Sequence, residues 1–524
     1  MKSMGKGFWA LCAAAVVGGC GATDDSASFD QGERDDFAGG AEGGSGAPTP
    51  GAAPPGEEIE AESLYEAPVA TGHSIWVANP KSGRVAYIDA ETLAVTTVDA
   101  GDGPSHLAGI PGRSGEAVVV LNERSQDATL IERTEAGAAL STYPVAARAN
   151  SWSVSASGRF SVAWADARLV PEAPETEGFQ ELTVLDTAPG GTASTVLAVG
   201  YRPLSVSFDV AEGRAFAVTQ DGIVSIDLRQ SPPVLLANIP LADDPLAENP
   251  LTRDVTVTPD GAYAFVRRDG QSTVDVLRLA DGTRKTITLP SKVTDLDLAA
   301  DGSRAVAVLR DTAQVALLPV PAIFDAPDGF TTVDVPERTV ASVVLAPTSE
   351  LALLYTNATP VKSLTILPLA TPATLRTVRL YAPVLGVFSA PSGNDAVVLH
   401  TTAADGTGAF SLVRLGQALP ARIAATQAPP FSVALTDEYA VVTERDDRTG
   451  VFGAQIAKLG SLAVDRYALA SPPLAAGIVA DLRRAYVSQS HPDGRITFFD
   501  LDTGLSRTLT GFELGARVVT GESR

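Results

Sequence analysis

Two stretches, VTVTPDGAYAFV at 255–266 and LDLAADGSRAVAV at 296–308, place a glycine at the same point between two short apolar, β-branched runs. Gly261 and Gly302 each follow an aspartate, and Asp-Gly accepts the positive φ of a tight hairpin turn at little cost. Carried along the chain, the strand–turn–strand unit recurs at Gly115, Gly158, Gly213, Gly261, Gly302, Ser349, Gly393, Glu438 and Arg483, a mean period of 46 residues. A period of about 40–50 residues with four strands per repeat specifies propeller blades rather than a helical solenoid. Glu438 and Arg483 do not take positive φ cheaply, so those two turns are expected to be of another type or longer.

From residue 75 onward, runs such as IWVA, RVAYID and VTTVDA alternate with Gly, Asp, Pro and Ser clusters, without an amphipathic helical stretch of any length. The fold class is therefore all-β, a β-propeller of four-stranded blades over 67–524. The nine marked turns and the run at 75–99 count to about ten repeats. One wide ring, two smaller propellers or a degenerate blade would each accommodate that count. Residues 75–99 supply only outer strands, whereas FELGARVVTGESR at 512–524 reads as an inner strand. The C-terminal strand is thus expected to complete the first blade and close the ring, leaving no open edge.

A second marker is the aspartate that ends the third strand of several repeats: Asp89, Asp186, Asp227 and Asp500. Each is expected to cap a turn by accepting backbone N–H groups rather than to act in catalysis. With these residues the chain resembles the YVTN-type bacterial β-propellers. IWVANPKSGRVAYIDAETLAVTTVDAGDGPSHLAG at 75–109 is the nearest match, including the Gly103-Pro104 that leads into the next blade, and later repeats match only loosely. The resemblance implies a propeller, but its members have seven blades, and most propellers four to eight.

The N-terminus gives an address. Lys2 and Lys6 precede a short apolar run from Phe8 to Val17, the pattern of a secretory signal and far below the roughly 20 residues that span a bilayer. Val17-Gly18-Gly19-Cys20 resembles the bacterial lipobox, which implies a signal peptide over 1–19, acylation of Cys20, and attachment to a membrane through that anchor. The alternative is an ordinary signal peptide that leaves Cys20 free. Cys12, the other cysteine, would leave with the signal, so the mature chain would hold no disulfide. Residues 20–66, rich in Gly, Ala, Pro and acidic groups, read as a disordered tether with an r.m.s. span on the order of 35–40 Å. Gly21 is not the aspartate that resembles an inner-membrane retention signal, so a bacterial cell envelope location in the outer membrane is expected.

Chemistry is sparse. The histidines, His73, His106, His400 and His491, are not spaced as a metal pair, and HExxH, CxxCH, Gly-x-Ser-x-Gly and phosphate-loop patterns are absent. No catalytic residue, metal or cofactor is assigned. By analogy with other propellers, the loops that lead into inner strands form the upper face, where His106, Trp152, Arg202, Arg253, Asp254 and Asp295 are the candidate binding residues. Asp243-Asp244, Asp446-Asp447 and PEAPETEGFQE at 171–181 lack the alternating oxygens of a calcium loop and read as insertion loops, the last projecting from the third blade. Without Lys2 and Lys6 the chain has 37 basic and 62 acidic residues, a balance of −25 that argues against nucleic acid and against adsorption to anionic lipid. The expected function is a ligand- or protein-binding or scaffold module for a protein, peptide or glycan. The alternatives are a propeller enzyme, lactonase-like or quinoprotein/haem dehydrogenase-like, and a structural cell-surface component.

Overall fold

The computed structural model describes residues 68–522, apart from 112, 114–115, 171–172, 192, 243, 245, 247–248, 337–339, 358–359, 402–406 and 513–516. Cys20, the signal peptide, the tether, Asp243 and the Gly115 turn therefore lie outside the described residues. Within them are ten antiparallel sheets of sequential strands, nine with four strands and the last with five. Each sheet is one blade. Blade 1 runs from Val69–Thr71 to Val95–Asp99, blade 5 from Arg253–Val257 to Arg284–Thr288, and blade 10 from Pro473–Val479 to Ser506–Thr510. One helical turn, Ala322–Asp325, is the only α-helix among the described residues.

Burial explains why the ten sheets make a single ring. Along a second strand, alternate side chains serve opposite neighbours: Phe265 of blade 5 joins an apolar cluster with blade 6, while Ala264 and Val266 join one with blade 4. Such clusters link every consecutive pair of blades. The circle is completed by a cluster in which Ile75, Ile88 and Leu93 of blade 1 meet Tyr486, Phe498 and Phe512 of blade 10. With sheets ~10 Å apart at mid-blade, ten of them leave an opening on the order of 20 Å between opposite inner strands.

Closure differs from the expectation. The C-terminal strand Val518–Glu522 does not enter blade 1; it pairs antiparallel with Ser506–Thr510 as the fifth, outermost strand of blade 10. Blade 1 has its own short inner strand, Val69–Thr71, paired with Ser74–Asn79 across a two-residue turn. That strand is too short to leave a periodic trace and adjoins the linker composition. The ring is therefore held shut by packing of whole blade faces, with the Tyr486 hydroxyl donating to the Pro68 carbonyl at 2.8 Å.

The turns follow the sequence logic. Gly158, Gly261, Gly302 and Gly393 have φ between +63° and +70°. At 213 the left-handed residue is Glu212 instead, and Arg483 takes φ +49° at the end of a short 3-10 turn, Ala480–Leu482. Arg483 is held by Glu438 and Asp502, each at 2.8 Å. The third-strand aspartates are turn caps: Asp89 accepts the Thr92 N–H at 2.8 Å, Asp186 that of Ala188 at 3.1 Å, Asp227 that of Arg229 at 3.0 Å and Asp500 that of Thr503 at 2.8 Å.

Candidate upper-face binding site

Loops entering the inner strands and loops joining second to third strands share one face. In six blades the top of the inner strand carries a β-bulge, between Pro104 and His106, Pro203 and Ser205, Val293 and Asp295, Val384 and Gly386, Pro430 and Val433, and Pro473 and Ala475. A bulge turns the residues beside it out of the regular alternation. His106 and Asp295 are thus equivalent, each the first paired residue after the bulge.

His106 lies with its Nε2 3.3 Å from the Glu123 carboxylate, which follows the second strand of blade 2. That hydrogen bond holds the Glu123 carboxyl below its ordinary range despite partial burial. Trp152, on the inner strand of blade 3, is half-buried against the apolar clusters of blades 2 to 4. Arg202, with φ +50°, donates to the carbonyls of Pro174 at 2.7 Å and Glu177 at 3.2 Å. It clamps the insertion down. Arg253 is 5% exposed and donates to the Thr219 and Gln220 carbonyls of blade 4, at 2.9 and 3.2 Å. Both arginines engage backbone oxygens that the fold itself presents.

Asp254 and Asp295 belong to a charged group at the junction of blades 5 and 6. Arg267, in the second strand of blade 5, donates to Asp254 at 2.8 Å and to Asp269 at 2.7 Å. Burial works against the Arg267 charge, but Asp254, Asp269 and Asp295 outweigh it and raise its pKa. Asp295 accepts the Val343 N–H of blade 7 at 2.6 Å, and Asp297, two residues on, accepts that of Leu345 at 2.8 Å. Two carboxylates therefore satisfy alternate edge donors of the next inner strand. Burial pushes the Asp297 carboxyl up to about 6, and its N–H partners hold it down only in part.

Sequence reasoning missed Glu123, Arg267, Asp269 and Asp297. The signal for Arg267 was present in AFVRRDG, where two arginines interrupt a strand that should be buried on both faces. His400, the one buried histidine among the described residues, is fully enclosed, with Nε2 2.7 Å from the Ser411 hydroxyl. Burial lowers its pKa, which keeps it neutral.

The blade 3 insertion does not project freely. Besides Arg202, the Arg148–Glu177 ion pair ties it to the loop before blade 3, and the Tyr201 hydroxyl donates to the Glu175 carbonyl at 2.7 Å. Beneath it is an open cleft of about 390 Å³, walled by Phe179 and Tyr201 and edged by Thr176, Gln180 and Glu181. Phe179 sits at φ +43° and Arg148 at φ +64°, conformations costly for side chains of that size. At 446–447 the acidic pair is a turn: Asp446 accepts the Arg448 N–H at 3.0 Å and Asp447 accepts Arg445 Nε at 2.8 Å. Asp244 accepts the Leu246 N–H at 3.0 Å.

No protein-family model and no curated protein matches the chain. Solved structures similar to it include the dihydro-heme d1 dehydrogenase NirN in complex with DHE, at 16% identity over 64% of this chain and 74% of that one, with a TM-score of 0.42. A eukaryotic initiation factor matches at 11% identity over 76% of this chain and 96% of its own, with a TM-score of 0.49. The Cps50 (Swd1) β-propeller domain of Myceliophteria thermophila matches at 13% identity over 64% and 96%, with a TM-score of 0.34. At these identities the likeness reaches no further than the fold.

Proposed function

We propose that this chain is a membrane-anchored, extracytoplasmic binding propeller whose upper rim grips a protein, peptide or glycan. The observation that carries the reading is a set of carboxylates fixed in place yet open to solvent. Glu123 is 41% exposed beside His106, and Asp269 is 51% exposed beside Arg267. Acceptors already oriented by a neighbouring donor lose little freedom on binding, so they favour a ligand that brings donors such as ammonium, guanidinium or hydroxyl groups. Anchoring would come from acylated Cys20, with the tether holding the ring clear of the bilayer.

The test is capture from the native envelope by the mature chain, compared with a Glu123→Gln, Asp269→Asn double variant whose fold is checked by circular dichroism. A partner held by the parent and lost by the folded variant is expected. Equal retention by both would remove the rim from the reading. Fractionation of a Cys20→Ser chain tests the anchor separately, since that chain should leave the membrane fraction.

A further inference from the structure

The outermost strand of each blade has an open edge, which soluble proteins usually guard with charge. Here the guard is uneven. Blade 1 carries Asp99, blade 5 Arg284 and Lys285, blade 6 Asp334, blade 7 Arg376 and Arg379, blade 8 Arg422, and blade 9 Asp465 and Arg466. Blade 10 carries Arg507 and is covered by a fifth strand. The outer strands of blades 2, 3 and 4, Gly137–Pro144, Ser194–Ala198 and Val234–Pro240, carry none. The stretches 137–147, 187–201 and 230–242 around them contain no Asp, Glu, Lys or Arg at all. The same strands expose Leu140, Val196, Val234, Leu235 and Leu236, from 41% to 52%. In a chain of net charge −23, the outer strands of three adjacent blades thus present uncharged, partly apolar edges, with Arg159, Arg214 and Arg229 bordering Leu236 at the seam of blades 3 and 4.

We propose that this wall of blades 2–4 rests on a lipid surface. The inference builds on the reading of Cys20 as a membrane anchor; one observation disfavours a strand-shaped partner at blade 4, and two more make a flat bilayer accessible to all three blades. Blade 4 carries a bulge between Ser225 and Ile226 in the pairing of its outer strand, which spoils that edge for regular strand addition while Leu235 and Leu236 stay exposed. Curvature is compatible: on a ring whose outer wall lies ~23 Å from the axis, blades 2 and 4 fall only ~4–5 Å behind a plane touching blade 3. Elements seated on a membrane sink ~5–10 Å into its interface, so all three blades can engage one flat surface. Reach is sufficient as well. Pro68 leads directly into blade 1, beside the arc, and the linker span expected from its composition, on the order of 35–40 Å, exceeds the ~15 Å from inner strand to outer wall. Seated this way, the ring stands on its side and its upper face remains open to ligand.

The test places a polarity-sensitive fluorophore on single cysteines, Leu140→Cys, Leu235→Cys and, as control, Lys285→Cys on the outer strand of blade 5. The mature chain, carrying Cys20→Ser, is held by an N-terminal hexahistidine to nickel-chelating lipid in phosphatidylcholine vesicles, so the result does not depend on acylation. Brominated phosphatidylcholine should quench emission at positions 140 and 235 at least threefold more than at 285. Equal quenching at all three positions overturns the proposal. Shielding of 140 and 235 in native membranes without quenching in pure lipid also overturns it, in favour of a protein partner. Failure of the anchor reading would show instead as an unmodified wild-type Cys20.

Discussion

Asp297 provides a quantitative test of how the inner strands are joined. Its carboxylate accepts the N–H groups of Leu298 and Leu345, both at 2.8 Å, and burial raises its pKa from 3.8 to about 6. The unfolded chain releases this proton near pH 3.8, whereas the folded ring keeps it until about pH 6. Folding stability from this group is therefore full below pH 3.8, falls as the pH rises through 6, and is flat above about 7. The difference between the two values corresponds to about 3 kcal/mol, and partial solvation of the side chain brings the expected loss to about 1.5–3 kcal/mol. Asp297→Asn removes the titration, and its single carbonyl replaces one of two acceptors, a cost that does not vary with pH. Melting both chains from pH 4 to 7.5 at constant ionic strength should show the variant gaining on the parent by roughly 1.5–3 °C as the pH rises. Parallel melting profiles would refute the account of a strained, buried carboxylate at the blade 6–7 seam.

Two further outcomes concern the ring itself. Gly261→Ala should destabilise by about 2–4 kcal/mol, measured by urea unfolding, because φ is +63° and a Cβ there would lie 2.4 Å from the Phe216 ring of blade 4. A chain ending at residue 516 keeps Phe512 in the blade 1–10 cluster and loses the fifth strand, whose Val518 is 58% exposed, together with the exposed Arg517 hydrogen bond to the Thr92 carbonyl of blade 1 at 2.6 Å. Its melting temperature should fall by less than about 2 °C; collapse of the whole transition would mean that this strand does clasp the ring.

How much of the site could be read in advance depended on the kind of information each residue carried. His106 and Asp295 were found because the repeat fixes where an inner strand begins. Their partners were not: Glu123 meets His106 only through the bulged register of the blade 2 hairpin, and Val343 is brought to Asp295 only by the packing of blade 7 on blade 6. Arg202 and Arg253 were found by position, yet their roles turn on carbonyls contributed by a loop and by blade 4, which no local pattern encodes.

The sequence by itself determined the blade. Alternating apolar runs, Asp-Gly turns and strand-ending aspartates are local requirements of hairpins, so each leaves a signature within a dozen residues. The 46-residue period then set the number of repeats. What only the tertiary structure decided was how ten repeats close: whether a clasp strand is used, which blade faces meet, and which charges end up enclosed. Those depend on packing between residues such as Leu93 and Phe512, far apart in the chain, and on the competition between burial and pairing at groups such as Arg267 and Asp297. Such energies belong to the assembled ring and have no counterpart in any single repeat.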